Sequence, residues 1–306
     1  MPNKSPLVVN DFDKIKQVKD ESLVFLKENP VIQNKIANYL WAYHEIMYDL
    51  VPQNYLKWKS GYYFPCFESY FELENSYELC LEGFYKYSFF ALRSVLELGF
   101  LRIFFSENFQ EEKNFNKWFS SDDKTPRFQD SFKEIKKIKN YDLFDDRFKL
   151  SNRILKTNEE LNNYIHTRGY HYSSFSQSKS NINKFSESSL IEYTNVMFSI
   201  TSEIIIVMLI KYPIGLHALP LSRKFGLDLP FGGFLEEHQV DLIKSVLDLE
   251  EVHFLEDLSN QDLYVKMIKE KFDKIPDLPN EIMDEQIKEF IQKHPEWERL
   301  INHYFK

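Results

Sequence analysis

Residues Val196–Ile210, VMFSITSEIIIVMLI, form the most apolar stretch of the chain. They are fewer than the roughly 20 apolar residues that a membrane-spanning helix needs, and Glu203 sits in their middle. The stretch reads as the buried core helix of a soluble protein, extending over 189–212 and closed by Pro213. A helix that is apolar all round must be enclosed by other elements, and the composition selects helices for that role. The 306 residues include 28 Phe and 18 Tyr but only 8 Gly, so the core is aromatic and glycine-dependent turns are few. The expected fold is all-α, a helical bundle.

Apolar spacing supplies the other elements. Phe12, Ile15, Val18, Leu23 and Leu26 mark a first helix that stops at Asn29-Pro30. Ile36, Leu40, Tyr43 and Met47 mark a second that ends before Pro52, making an N-terminal hairpin over 11–50. The aromatic segment Gln53–Pro65 reads as an ordered connector against the core that also offers a contact surface. Over 68–105 there is no Pro and only Gly83 and Gly99, which predicts one long helix or two in near continuity. A polar stretch with a short helix around Trp118 follows, then a basic helical cluster, KEIKKIK, at 133–139. A helix over 150–165 leads into His166, and a loop rich in Ser, Asn and Lys covers 172–189.

Beyond residue 215 the character changes. Pro220, Pro230 and Gly232-Gly233 interrupt the chain, and helices are expected at 237–249, 262–273 and 280–292, with a last one after Pro295. Leu216–Lys306 holds 11 Lys and Arg against 19 Asp and Glu, so it carries −8 of the net charge of −9. The reading divides the chain into a core bundle over 1–215 and an acidic helical region over 216–306.

Two cysteines, Cys66 and Cys80, are too few for a disulfide framework or an ordinary structural zinc site. The start of the chain, MPNKSPLVVNDFDKIK, has no apolar run after a basic stretch, so a cytoplasmic location is expected, without a membrane partner. The net acidity argues against wholesale electrostatic attraction to nucleic acid. No phosphate loop, dinucleotide fingerprint, nucleophile elbow or H-E-x-x-H helix is present. No cofactor and no metal are expected.

Three features could carry chemistry. Arg93 and Glu97, four apart in LRSVLE among apolar neighbours, predict a partly buried ion pair. Asn162–His171, NNYIHTRGYH, gathers Asn163, His166, Arg168 and His171 at a helix end, where Gly169 can take a positive φ and the helix dipole favours cations. Capping and packing explain that cluster; equally, His166 has the chemistry of a general acid or base and Arg168 that of a phosphate or oxyanion holder. His166 and His171, five apart around a glycine, are poorly spaced for a metal. Glu203 needs a partner in the core, with Arg93 or a Tyr hydroxyl expected.

A long helix bearing LRSVLE, a variable segment and a helix ending in NNYIHTRG resemble, over about residues 68–212, bacterial helical proteins related to the HEPN superfamily. The resemblance implies a helical bundle, an association with antiviral or toxin systems, and in many members a metal-independent ribonuclease using an Arg and a His four to six residues apart. Here the corresponding positions before His166 are Glu159, Glu160 and Leu161, while Arg168 and His171 are too close together. Any arginine for His166 would come from elsewhere, with Arg93 or Arg153 as candidates. Three functions follow: a non-catalytic binding or regulatory module with a ligand or protein partner; an RNA-cleaving enzyme with His166 as acid-base group and Arg93 or Arg168 on the phosphate; and a homo-oligomer joined through the aromatic connector and the tail.

Overall fold

Apolar residues at three- and four-residue spacing form α1 (Phe12–Glu28), which buries Val18 and Leu26 but leaves Phe12 and Leu23 exposed, and α2 (Pro30–His44), opened by a proline at its first turn. The computed structural model describes residues 12–105, 109–173 and 184–297. Past His44 the chain widens into a π-helical turn over Glu45–Leu50. A short α3 (Tyr55–Lys59) precedes α4 (Phe64–Leu81) and α5 (Tyr85–Phe104).

The last two helices are not continuous. Gly83 takes φ +79, the Gly83 amide donates to Cys80 O at 3.0 Å and the Phe84 amide to Leu79 O at 2.8 Å, so the chain reverses and α5 returns along α4. Next come α6 (Phe109–Phe119), α7 (Phe128–Ile135), α8 (Tyr141–Phe148), α9 (Leu150–Ile165) and α10 (Glu187–Lys211). The basic cluster is not one helix face: α7 stops at Ile135, and Lys136, Lys137 and Lys139 lie in the turn before α8. Of the expected loop over 172–189, residues 174–183 lie outside the described residues, and the Ser186 side chain caps α10.

The chain ends through α11 (Leu221–Phe225), α12 (Glu237–Ser245), α13 (Leu249–Gln261), α14 (Leu263–Lys274) and α15 (Asn280–Lys293). Among the described residues the fold is all-α, and the only β pairing is an isolated bridge between Ala218 and Leu235.

At the centre α5 and α10 cross, with α4, α7 and α9 against α5 and with α2, α9 and α13 against α10. The close approach requires Gly99, where a Cβ would meet Ile204 Cδ1 at 2.7 Å and Tyr43 Oη at 3.0 Å. By length and composition α10 could cross a membrane, but its apolar face is enclosed by the bundle. Buried hydroxyls find partners across helices: Tyr43 Oη meets Ser69 Oγ at 2.6 Å, Ser69 donates to Val95 O at 2.9 Å, and Ser76 Oγ meets Tyr193 Oη at 2.6 Å. The thiols of Cys66 and Cys80 are buried and unpaired, and burial pushes both above the ordinary thiol range. In the connector, buried Tyr62 and Tyr63 clasp the Arg102 guanidinium at 4.4 and 5.1 Å, while Tyr55 and Trp58 are exposed beside Phe231.

The buried cluster passes residue 215 without a break, continuing through Leu216, Leu235, Val240, Leu255 and Val265. The change in composition at 215 therefore marks a more acidic surface over a shared core. After Pro295 the described chain holds a single 3-10 turn, Pro295–Trp297.

Candidate functional site

The end of α9 is built as its sequence suggests, with one shift. The Arg168 amide donates to Asn163 O at 2.9 Å and the Thr167 amide to Tyr164 O at 3.1 Å, closing the helix with Thr167 at φ +47; Gly169, at φ +84, turns the chain two residues later. His166, Arg168 and His171 are exposed. Arg168 Nη1 donates to Asn163 Oδ1 at 3.2 Å and stands 3.7 Å from Glu159, and the His171 ring meets Tyr172 edge-on at 4.9 Å. This turn adjoins the start of α5: Lys86 Nζ donates to Thr167 Oγ1 at 2.7 Å, and Phe89 stacks on Tyr164 at 3.9 Å.

Arg93 lies two turns further along α5. Its Nη2 donates to Glu97 Oε1 at 2.5 Å and its guanidinium lies over the Phe128 ring of α7 at 5.2 Å. Burial lowers its pKa and the Glu97 carboxylate opposes that shift. Among the described residues no hydrogen bond or ion pair joins Arg93 to His166 or to Glu203. The expected contact between Arg93 and Glu203 is thus corrected: Arg93 reaches from α5 toward α7, whereas Glu203 reaches from α10 toward α9.

Glu203 is 2 % exposed. Its Oε1 accepts the Thr157 hydroxyl at 2.9 Å, and its Oε2 is buried with no hydrogen-bond partner. Burial pushes the carboxyl up to about 7 and nearby Glu251 adds to this, against the Thr157 hydrogen bond and the Arg153 charge. Arg153 Nη1 is ion-paired with Glu251 of α13, which is itself buried. Thr157 stands four residues after Arg153, so one face of α9 presents both groups to α10 and α13.

Glu203 lines a cavity of about 320 Å³ between α2, α9 and α10, with Tyr39, Phe198, Thr157, Arg153 and Lys156 also in its wall. Tyr39, Arg153 and Ser202 also line an adjoining hollow of about 700 Å³ that reaches Lys35 and Glu251, and Thr157, Glu160 and Ser199 line a further groove of about 470 Å³. Lys35 Nζ lies over the Phe198 ring at 4.5 Å. The cavity thus sets a carboxyl group with one unpartnered, enclosed oxygen beside Lys156 and the Glu251-paired Arg153.

Of the residues selected from sequence, Glu203 belongs to this cavity, Asn163 and Arg168 meet each other at the α9 end, and Arg93 and Glu97 form a separate pair. Tyr39, Thr157 and Glu251 were not anticipated. The signal for Thr157 was its position on the α9 face that Arg153 shares; nothing local marks Glu251, which comes from a helix 98 residues away. Compared with family models, curated proteins and solved structures, the chain matches none of them.

Proposed function

We propose that the protein is a cytoplasmic, non-catalytic binding module that holds a small zwitterion of amino-acid size in the cavity above Glu203. The observation that carries this reading is the second carboxylate oxygen of Glu203, buried and without a partner while the first is satisfied by Thr157. A buried carboxylate lacking one hydrogen bond costs about 1–3 kcal/mol or more, a deficit that a bound ammonium group removes. Arg153 and Lys156 then face the anionic end of the same ligand. Native mass spectrometry of the protein as isolated from cells tests this directly. A noncovalent small-molecule adduct on the wild type that is absent from Glu203→Gln supports it, and bare protein in both opposes it.

A second reading is the RNA-cleaving enzyme of the HEPN resemblance, and the observation in its favour is the contact of the α5 start with the His166 turn through Lys86 and Thr167. It assigns His166 as acid-base group with Lys86 or Arg168 on the phosphate. Metal-independent cleavage of RNA by the wild type, lost in His166→Ala, would select it.

A further inference from the structure

The π-helical turn after α2 carries a second polar cluster, and it has no part in the Glu203 cavity. In an α-helix His44 and Asp49, five apart, would diverge; the wider π turn brings them onto one face together with Glu45. One donor atom from each of His44, Glu45 and Asp49 lies within 4.8 Å of the others. His44 Nδ1 is 3.8 Å from Glu45 Oε1 and is buried without a hydrogen-bond partner. The imidazole cannot swing freely, since it stacks on Tyr48 at 4.7 Å and 7° and meets Tyr70 edge-on at 5.1 Å.

The two carboxylates are held from outside. Gln239 of α12 donates its Nε2 to Glu45 Oε2 and, at 2.9 Å, to Asp49 Oδ2. Its orientation is fixed because its Oε1 accepts the Glu236 amide at 2.9 Å in the cap of α12. The turn is further anchored by the Gly233 amide, which donates to Asp49 O at 2.6 Å. Gln239 thus engages Glu45 Oε2 and Asp49 Oδ2, while Glu45 Oε1 lies 3.8 Å from the unpartnered imidazole nitrogen. An amide that orients coordinating carboxylates is a common outer partner of metal ligands.

We propose that His44, Glu45 and Asp49 form a binding site for one divalent first-row transition ion. One imidazole and two carboxylates suit Mn²⁺, Fe²⁺ or Zn²⁺ better than Mg²⁺ or Ca²⁺, which take all-oxygen sets. Donors around such an ion at about 2.1 Å stand roughly 3–4 Å apart, so the three groups close by about 1 Å on binding. His44 and Glu45 retain some exposure, which leaves the remaining coordination positions to water. All three ligands come from the end of α2 and the π turn, and α12 contributes only the Gln239 amide that orients the carboxylates.

The test uses the full chain, stripped with EDTA and dialysed, titrated calorimetrically with MnCl₂ and ZnCl₂ and, as a control, MgCl₂. The site predicts one equivalent of Mn²⁺ or Zn²⁺ per chain, weakened at least tenfold in Asp49→Asn and in Glu45→Gln but unchanged in Glu203→Gln. Pulsed electron paramagnetic resonance of the Mn²⁺-loaded wild type should show coupling to an imidazole nitrogen, and it reads the site without any substitution. No binding up to 1000-fold excess, binding equal in all four proteins, or bound Mn²⁺ without nitrogen coupling would overturn the assignment.

Discussion

Thr157 donates its hydroxyl proton to Glu203 Oε1 at 2.9 Å, and the other oxygen of that carboxyl group is buried with no partner. One half of a core carboxylate is thus built into the fold by α9, and the other half is enclosed without a partner in a residue that lines the cavity. The relationship separates what this residue does for stability from what it offers to a ligand.

Because the Glu203 carboxyl is raised from 4.5 to about 7, the native chain binds more protons than the unfolded chain between those values. Stability therefore falls as pH rises through that window, by up to about 3 kcal/mol for this group. Glu203→Gln keeps an acceptor for Thr157 and removes the titration. Urea unfolding at pH 5 and pH 8 should show the wild type losing stability relative to the variant as pH increases; parallel changes in both proteins would remove Glu203 as a titrating core group.

Thr157→Val preserves shape and removes the donor, leaving both carboxyl oxygens unsatisfied. The expected loss is about 1–3 kcal/mol in urea at neutral pH. A loss of the same size when the substitution is made in Glu203→Met, which offers the hydroxyl no oxygen acceptor, would mean that the hydroxyl acts through packing alone.

Arg153 is 36 % exposed but its partner Glu251 is only 8 % exposed, so removing the guanidinium strands a buried charge. Arg153→Met should cost about 2 kcal/mol, discounted from the fully buried case because one side of the pair is solvated. Adding Glu251→Gln should restore part of that loss, which a double-mutant cycle measures. A purely additive cycle would show that the pair does not hold α13 to α9.

His166 is exposed and pairs with no arginine among the described residues. His166→Ala should change stability by less than about 0.5 kcal/mol. On a denaturing gel, RNA incubated with wild type in EDTA should remain intact. Cleavage by wild type that His166→Ala abolishes would replace the binding module with the ribonuclease reading.

The all-α fold was legible in Val196–Ile210, whose apolarity on every side demanded enclosure, and in the helical spacing that placed Ile36, Tyr43 and Met47 in the core. The partner of Glu203 was not legible, because spacing shows which face of a helix a residue occupies but not which helix lies opposite. Of the one long helix or two in near continuity expected over 68–105, two form, and the spacing did not show that Gly83 at φ +79 reverses the chain between them. His44 was hidden for another reason: on a 3.6-residue period it diverges from Asp49, five residues on, and the π turn brings it to the face that Glu45 and Asp49 share. The helix over Leu249–Gln261 also went unread, although Asp248 accepts the Glu250 amide at its start.

The central claim is that Glu203 takes a hydrogen bond from a bound ligand. The most direct measurement is a thermal-shift titration of the wild type and Glu203→Gln with a panel of free amino acids and small amines at pH 6 and pH 8. At least one zwitterion should raise the wild-type melting temperature in a concentration-dependent way, leave Glu203→Gln unmoved, and bind more tightly at pH 8, since at pH 6 the ammonium group must first displace a proton from the carboxyl. No shift with any member of the panel, or equal shifts in both proteins, would contradict the account.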